Sequence, residues 1–235
     1  MHHIADPPKV LAFTCSRGRP LLLRHCVMQM RLQTYPIHQA VYINWSNAVS
    51  LPERWDYRKL FSEMDLQNRV TFECGESMTL HENYMKALRA VDWTDFDLFL
   101  KIDDDDIYRP SYVQNIVESY LDKNWDFSGS YAFSKIEGKE LKWGIGCKSL
   151  GLKDSDISLG VPEMMPGTYA FSQKGMRLLE ALPNFSSEWE DVIWRQILVS
   201  NATIHTFVRP DMRDYIYNIH GENVSNSKTS NTPFP

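Results

Sequence analysis

Long apolar runs are missing from this chain: no stretch of its 235 residues approaches the roughly 18–20 that a membrane-crossing helix requires. The opening segment, Met1 to Lys9, has no apolar centre of the kind that marks a secretory leader, and two adjacent histidines are too few for a purification tag. The chain is therefore expected to be cytoplasmic, touching a membrane at most peripherally. Paired cysteines are missing too. Cys15, Cys26, Cys74 and Cys147 are scattered with no C-x-x-C among them, which argues against a zinc site or a disulfide framework and for buried thiols. Positive charge is in deficit, with 25 Lys+Arg against 30 Asp+Glu and a net charge of −5, so a broad nucleic-acid-binding face is not expected. No short repeat is visible, which excludes collagen-like and coiled-coil classes.

What is present is an ordinary globular composition, 43% hydrophobic and 12% aromatic, too rich in large side chains for a disordered chain and long enough to bury a substantial core. Asn44, Asn184, Asn201 and Asn223 each open an N-x-[ST] triplet, which without a leader reads as chance.

Hydrophobic periodicity gives the order of elements. Residues 9–14 form an apolar run, broken by Ser16-Arg17-Gly18-Arg19-Pro20. Pro20 suits a first helical turn, and Leu21 to Gln33 continues with helical spacing. Gln39 to Asn44 then reads as a second strand, completing a βαβ unit. A short strand over Arg69–Glu73 precedes Thr79-x-x-Glu82, a capping box that opens a helix to about Val91. Phe96–Ile102 is a near-continuous apolar strand, as in a buried parallel sheet, and Pro110 starts a helix reaching about Leu121. Strands are expected over Asp126–Phe133, Glu140–Ile145, Pro166–Phe171 and Thr203–Val208, with a loop over 146–162. Ser172 caps a helix to Leu182, and Ser187-x-x-Glu190 is a second capping box opening a helix to about Ser200. The fold class is α/β, one domain over 1–235: a Rossmann-like half over about 9–122 with a mostly parallel sheet flanked by helices, a mixed half over about 123–222, and a tail over about 223–235.

The strand at 96–102 runs straight into Asp103-Asp104-Asp105-Asp106. Ligands of open α/β sheets sit beyond the carboxyl ends of strands. Carboxylates this close repel unless a positive group lies among them, and a hard divalent cation suits oxygen ligands. Extended backbone would put Asp103 and Asp105 on one face and Asp104 and Asp106 on the other. The alternative is a solvated acidic loop with Asp106 capping the next helix.

The segment Ile102-Asp-Asp-Asp-Asp-Ile-Tyr-Arg-Pro110 resembles the aspartate-x-aspartate segment of nucleotide-sugar glycosyltransferases with the GT-A fold, especially family 2. Thr14-Cys-Ser-Arg-Gly-Arg-Pro20, Gln33-Thr-Tyr-Pro36 and Val41-Tyr-Ile-Asn44 are similar to the family's opening, although an aspartate often stands where this chain has Asn44. The resemblance spans about residues 9–226. It implies a metal-dependent transferase, using Mn2+ or Mg2+, that moves a sugar from a nucleoside-diphosphate donor, UDP-sugars being the most frequent, to a hydroxyl of a growing polysaccharide, a lipid-linked sugar or a glycoprotein, with inversion. It assigns Thr14, Ser16, Arg17, Arg19, Asn44, Asn83, Asp103 and Asp104 to the donor nucleotide and Gly167 and Thr168 to the sugar and acceptor side. Metal ligands would be Asp105, with Asp103 and His220.

The Glu190-Asp191 pair matches the family's catalytic acidic pair. A capping box would occupy Glu190 with the helix start, leaving Asp191 to take the acceptor's proton. Two other functions stay open on sequence. A sugar-phosphate nucleotidyltransferase shares this architecture but carries a glycine-rich first loop, whereas Thr14–Pro20 has only Gly18. A non-catalytic nucleotide-sugar or carbohydrate-binding module is the other.

Overall fold

The computed structural model describes residues 6–16, 19–44, 70–75, 79–137, 140–145, 164–183, 190–209 and 212–219. Its elements, in chain order, are β1 (Val10–Ser16), α1 (Pro20–Arg31), β2 (Ile37–Asn44), β3 (Val70–Gly75), α2 (Leu80–Arg89), β4 (Leu98–Lys101), β5 (Ile107–Tyr108), α3 (Tyr112–Lys123), β6 (Phe127–Ser130), β7 (Ala132–Glu137), β8 (Glu140–Ile145), β9 (Ala170–Ser172), α4 (Gln173–Glu180), α5 (Glu190–Ser200), β10 (Thr206–Arg209) and β11 (Met212–Ile219).

Seven strands form the central sheet in the order β10-β6-β9-β4-β1-β2-β3. All its neighbours are parallel except β9, which runs antiparallel between β4 and β6. A second sheet, β5-β11-β7-β8, is mixed. The expected mostly parallel sheet with flanking helices is thus present, and the mixed character of the later strands is as well.

Both faces of the central sheet are covered, which is why β1 is buried along its whole length. Side chains of a strand alternate between faces. Val10 and Ala12 of β1, with Leu98, Leu100 and Ile102, pack with Cys26 and Met30 of α1 and Tyr112, Val113 and Ile116 of α3. Leu11 and Phe13, with Phe99, pack with Tyr84 and Leu88 of α2, Met176 and Leu179 of α4 and Trp194 and Leu198 of α5. Lys101 is two residues beyond Phe99, so the same alternation sends a lysine toward α2 and α5.

The helix starts follow their capping chemistry. Pro20 occupies the first turn of α1. The Thr79 hydroxyl accepts from the Glu82 amide at 3.0 Å, and the Ser172 hydroxyl accepts from the Gly175 amide at 3.3 Å. Ser187 lies outside the described residues, as do the loop at 146–162 and the tail at 223–235.

Three expectations need correction. The strand expected over Asp126–Phe133 is two strands, β6 and β7, which belong to different sheets and part at the exposed Tyr131, whose amide bonds Arg209 O at 3.0 Å. Pro166–Thr168 is a single 3-10 turn and not strand, because the Thr168 and Tyr169 amides turn back to the carbonyls of Met165 and Pro166. The strand expected to close the fold at Val208 is followed by another, β11, which joins β5 and β7.

Candidate functional site

Strand register brings the acidic run beside the first loop. β1 pairs with β4 so that Phe13 stands opposite Lys101, and the Ile102 amide donates to Phe13 O at 3.1 Å. Continuing that register sets Ser16 beside Asp104, and the Ser16 hydroxyl donates to Asp104 Oδ2 at 2.6 Å. Arg19, at the start of α1, donates through Nη2 to Asp104 and through Nη1 to Asp105 Oδ2, the latter at 2.9 Å.

The four aspartates do not simply alternate. Asp103 and Asp104 diverge as extended backbone requires, but residues 104–105 form a turn, so Asp105 joins Asp104 on Arg19 instead of sharing a face with Asp103. Asp106 turns into the second sheet, where Tyr215 donates to its Oδ2 at 2.6 Å and the Asn218 amide to its Oδ1 at 3.0 Å. Asp104 and Asp106 are buried at 2% and 1%, whereas the side chains of Asp103 and Asp105 keep 23% and 14% of their surface. Burial pushes Asp104 up to about 6 against the pull of Arg19, and raises Asp106 well above the carboxylate range, with Asp105 and Asp103 adding to it. Asp103 and Asp105 are the two carboxylates that face outward.

On the other face of β4 lies a lysine that the sequence reading passed over. Lys101 Nζ is 2.7 Å from Asp103 Oδ1 and 3.2 Å from Asp191 Oδ1, with its side chain only 2% exposed. The Asp191 contact is an ion pair whose angles fall short of a hydrogen bond. Tyr84 donates to the same Asp103 oxygen at 2.7 Å, and its ring lies 5.1 Å from Nζ. Burial acts against the ammonium, but Asp103, Asp191 and Glu190 together hold its pKa well above that of an ordinary lysine. The signal was there: a lone cation inside Leu98-Phe-Leu-Lys-Ile102 needs a counter-charge if the strand is buried.

Glu190 and Asp191 open α5 and differ in setting. Glu190 is buried, and neither carboxyl oxygen has a hydrogen-bond partner among the described residues. Burial and the neighbouring Asp191 raise its pKa to about 9, so it is protonated at neutral pH. Asp191 is raised by burial as well, while Lys101 pulls it down, and its side chain retains 24% exposure.

The remaining expected residues divide as follows. Thr14 is buried and accepts from Gln39 Nε2 at 3.1 Å. Asn44 ends β2, buried, and Asn83 sits on the inner face of α2 with Oδ1 buried and unpartnered among the described residues. Thr168 is buried; its hydroxyl donates to Met165 O at 2.6 Å and accepts from the Ser130 amide at 2.7 Å. Gly167 lies against the acidic run: a Cβ there would meet Tyr215 Oη at 2.5 Å and Asp106 Oδ2 at 2.8 Å. Its carbonyl accepts from Tyr108 at 3.2 Å, and Tyr108 Oη in turn accepts from the Asp103 amide at 2.9 Å. Arg17 and His220 lie outside the described residues.

The structure therefore brings Ser16, Arg19, Asp103, Asp104, Asp105 and Asp191 into one constellation at the carboxyl ends of β1 and β4, with Gly167 and Glu190 packed behind it. Among the described residues no three His, Cys, Asp or Glu side chains form a metal-binding group. The donors that face outward are nonetheless hard carboxylate oxygens, which fit Mg2+ or Mn2+ when a ligand's oxygens complete the shell.

By sequence, no protein-family model and no curated relative matches the chain. By structure, it superposes on S. aureus TarS residues 1–349 in complex with UDP-GlcNAc with a TM-score of 0.66 at 11% identity, over 93% of this chain and 61% of that one. The mannosyltransferase PcManGT from Pyrobaculum calidifontis, in complex with GDP-Man and Mn2+, gives a TM-score of 0.65 at 14% identity, over 93% of this chain and 59% of the other. The chain thus spans about three-fifths of the length of each. Among the described residues no helix is long and apolar enough to cross a membrane. The seven-stranded sheet, its flanking helices and these superpositions establish that the chain has the GT-A fold of nucleotide-sugar glycosyltransferases.

Proposed function

We propose that this protein is a glycosyltransferase that moves a sugar from a nucleoside-diphosphate sugar, UDP-sugars first among the candidates, to a hydroxyl of a glycan, lipid-linked or glycoprotein acceptor, with inversion. The observation that carries the reading is the pairing, across Lys101, of Asp103, which adjoins the acidic turn, with Asp191 at a helix start, at the strand ends where α/β sheets bind ligands. One end of that pair suits a diphosphate and its cation, and the other suits a proton acceptor.

On the donor side, Asp105 and Asp103 would hold Mn2+ or Mg2+, with His220 as a third ligand. When bound, the cation supplies charge neutralisation to the departing diphosphate. Ser16 and Arg19 border the turn, and Arg19 offers the planar fork that suits phosphate oxygens. Thr14, Asn44, Asn83 and Arg17 are proposed on the nucleotide side, and Gly167 and Thr168 as the floor of the sugar subsite. The two halves are then a donor half over about 9–122 and an acceptor half over about 123–222, meeting at this site.

On the acceptor side, Asp191 takes the hydroxyl proton as that oxygen attacks the anomeric carbon. Glu190 does not suit the task, since it is buried and protonated at neutral pH. Lys101 is a positioning residue. Its charge pulls down the Asp191 pKa that burial raises, and it fixes the Asp191 carboxylate relative to Asp103.

The test is turnover with a panel of nucleotide sugars, acceptors and Mn2+, followed by the anomeric configuration of the product. Release of nucleoside diphosphate with an inverted product supports the reading. Formation of pyrophosphate from a nucleoside triphosphate and a sugar phosphate would make the protein a nucleotidyltransferase instead. Donor binding without transfer to any acceptor would make it a binding module.

A further inference from the structure

Among the described residues five large apolar side chains are conspicuously exposed, and three of them, Leu21, Met28 and Leu32, lie along α1 and its C-cap, at 69%, 40% and 64%. Their spacing of seven and four residues sets them on one face of the helix. Arg24, His25 and Arg31 are exposed on that same face. The opposite face, Leu23, Cys26, Val27 and Met30, is buried against the sheet. α1 contains no acidic residue, on a chain whose net charge is −5. Neither Arg24 nor Arg31 forms an ion pair with a described residue. The outer face of α1 is thus a stripe about 16 Å long, at 1.5 Å per residue, in which apolar and cationic side chains alternate.

We propose that this stripe docks on an anionic lipid bilayer. Long cationic side chains can reach headgroup phosphates while shorter apolar ones enter the acyl boundary, which is the chemistry of an interfacial helix. A second copy of the chain fits poorly. A two-fold contact through one helix face would set the arginines of one protomer against those of the other, on an area far below the roughly 1,200 Å² of a stable interface. Docking here also has a geometric consequence. Arg19, at the N-terminal end of α1, reaches Asp104 and Asp105, so the bilayer would lie alongside the candidate site and not on the far side of the protein. The proposal rests on α1 alone and stands whether or not the protein transfers sugar.

The experiment is co-sedimentation of the full chain with phosphatidylcholine vesicles, with and without phosphatidylglycerol. Binding is expected only to the anionic vesicles, and it should weaken with added salt. Each arginine near an anionic surface is worth about fivefold in partitioning, so Arg24→Gln with Arg31→Gln should lower binding by about 25-fold. Leu21→Ser with Met28→Ser and Leu32→Ser should abolish it, and since these side chains are exposed, circular dichroism should confirm that all variants fold. Absence of vesicle binding, equal binding to neutral and anionic vesicles, or binding that both variants retain would overturn the proposal. A concentration-dependent dimer that dissolves on the leucine and methionine substitutions would assign the face to a second copy and overturn it as well.

Discussion

The ammonium of Lys101 and the carboxylate of Asp191 stand 3.2 Å apart, and this contact ties the end of β4 to the start of α5. The same nitrogen holds Asp103, so one buried cation serves two acids that come from segments about 90 residues apart in the chain. Removing one partner of a buried ion pair leaves the others uncompensated, which typically destabilises by about 3–5 kcal/mol. Lys101→Met should therefore lower stability by about that amount in denaturant unfolding. Adding Asp191→Asn should recover part of the loss, because it removes one of the stranded carboxylates. Independent, additive losses in the two variants would show that the contact is not energetically coupled.

The acidic pair at the start of α5 separates by function. Asp191→Asn keeps the shape of the side chain but removes the proton acceptor, so transfer should fall by roughly 10²–10⁴ while the donor Kd stays within a fewfold of wild type. Glu190→Gln should leave transfer far closer to wild type. Measuring kcat and donor Kd for both decides the assignment, and an inactive Glu190→Gln beside an active Asp191→Asn would reverse it.

Glu190 also gives stability a pH dependence. Its pKa rises from an ordinary 4.5 to about 9 on folding, so between those values the folded state holds a proton that the unfolded state releases. Its contribution to stability is full below the unfolded value and declines as pH rises toward the folded one. Glu190→Gln removes this titration. Its advantage over wild type in melting temperature should grow from pH 5 to pH 9. A constant difference across that range would mean that Glu190 is already ionised in the fold.

Gly167 faces Tyr215 and Asp106 with no room for a methyl group. Gly167→Ala should destabilise by about 1–3 kcal/mol through overpacking. Tyr215→Phe deletes one hydrogen bond to buried Asp106 without adding volume and should act on the same cluster. The Gly167→Ala loss should be smaller in the Tyr215→Phe background, because the hydroxyl that Cβ would meet is gone; an unchanged loss would place the clash elsewhere.

How much of this was legible in the sequence depended on locality. The apolar strand ending in Asp103–Asp106, the Thr79 and Ser172 caps and the Pro20 helix start are written in neighbouring residues, and each is found in the fold. The register that sets Ser16 beside Asp104 and the sheet change at Tyr131 depend on pairings between distant segments, which no local pattern carries. Lys101 lies between these cases. Its position in an apolar strand was visible, but its partners Asp103 and Asp191 become evident only once β4 and α5 face each other. Extended alternation explained the divergence of Asp103 from Asp104. It failed at Asp105, where the chain turns so that two adjacent carboxylates share Arg19.

The acidic turn is proposed above all as the seat of a diphosphate and its cation. The most direct measurement is calorimetric titration of UDP and GDP, and of their sugars, into the protein with Mn2+ and with chelator, in wild type and in Asp105→Asn. At least one nucleotide should bind in Mn2+, lose its binding in chelator, and bind at least tenfold more weakly to Asp105→Asn with the fold intact. Equal affinity with and without metal, or an Asp105→Asn variant that binds as wild type does, would contradict it.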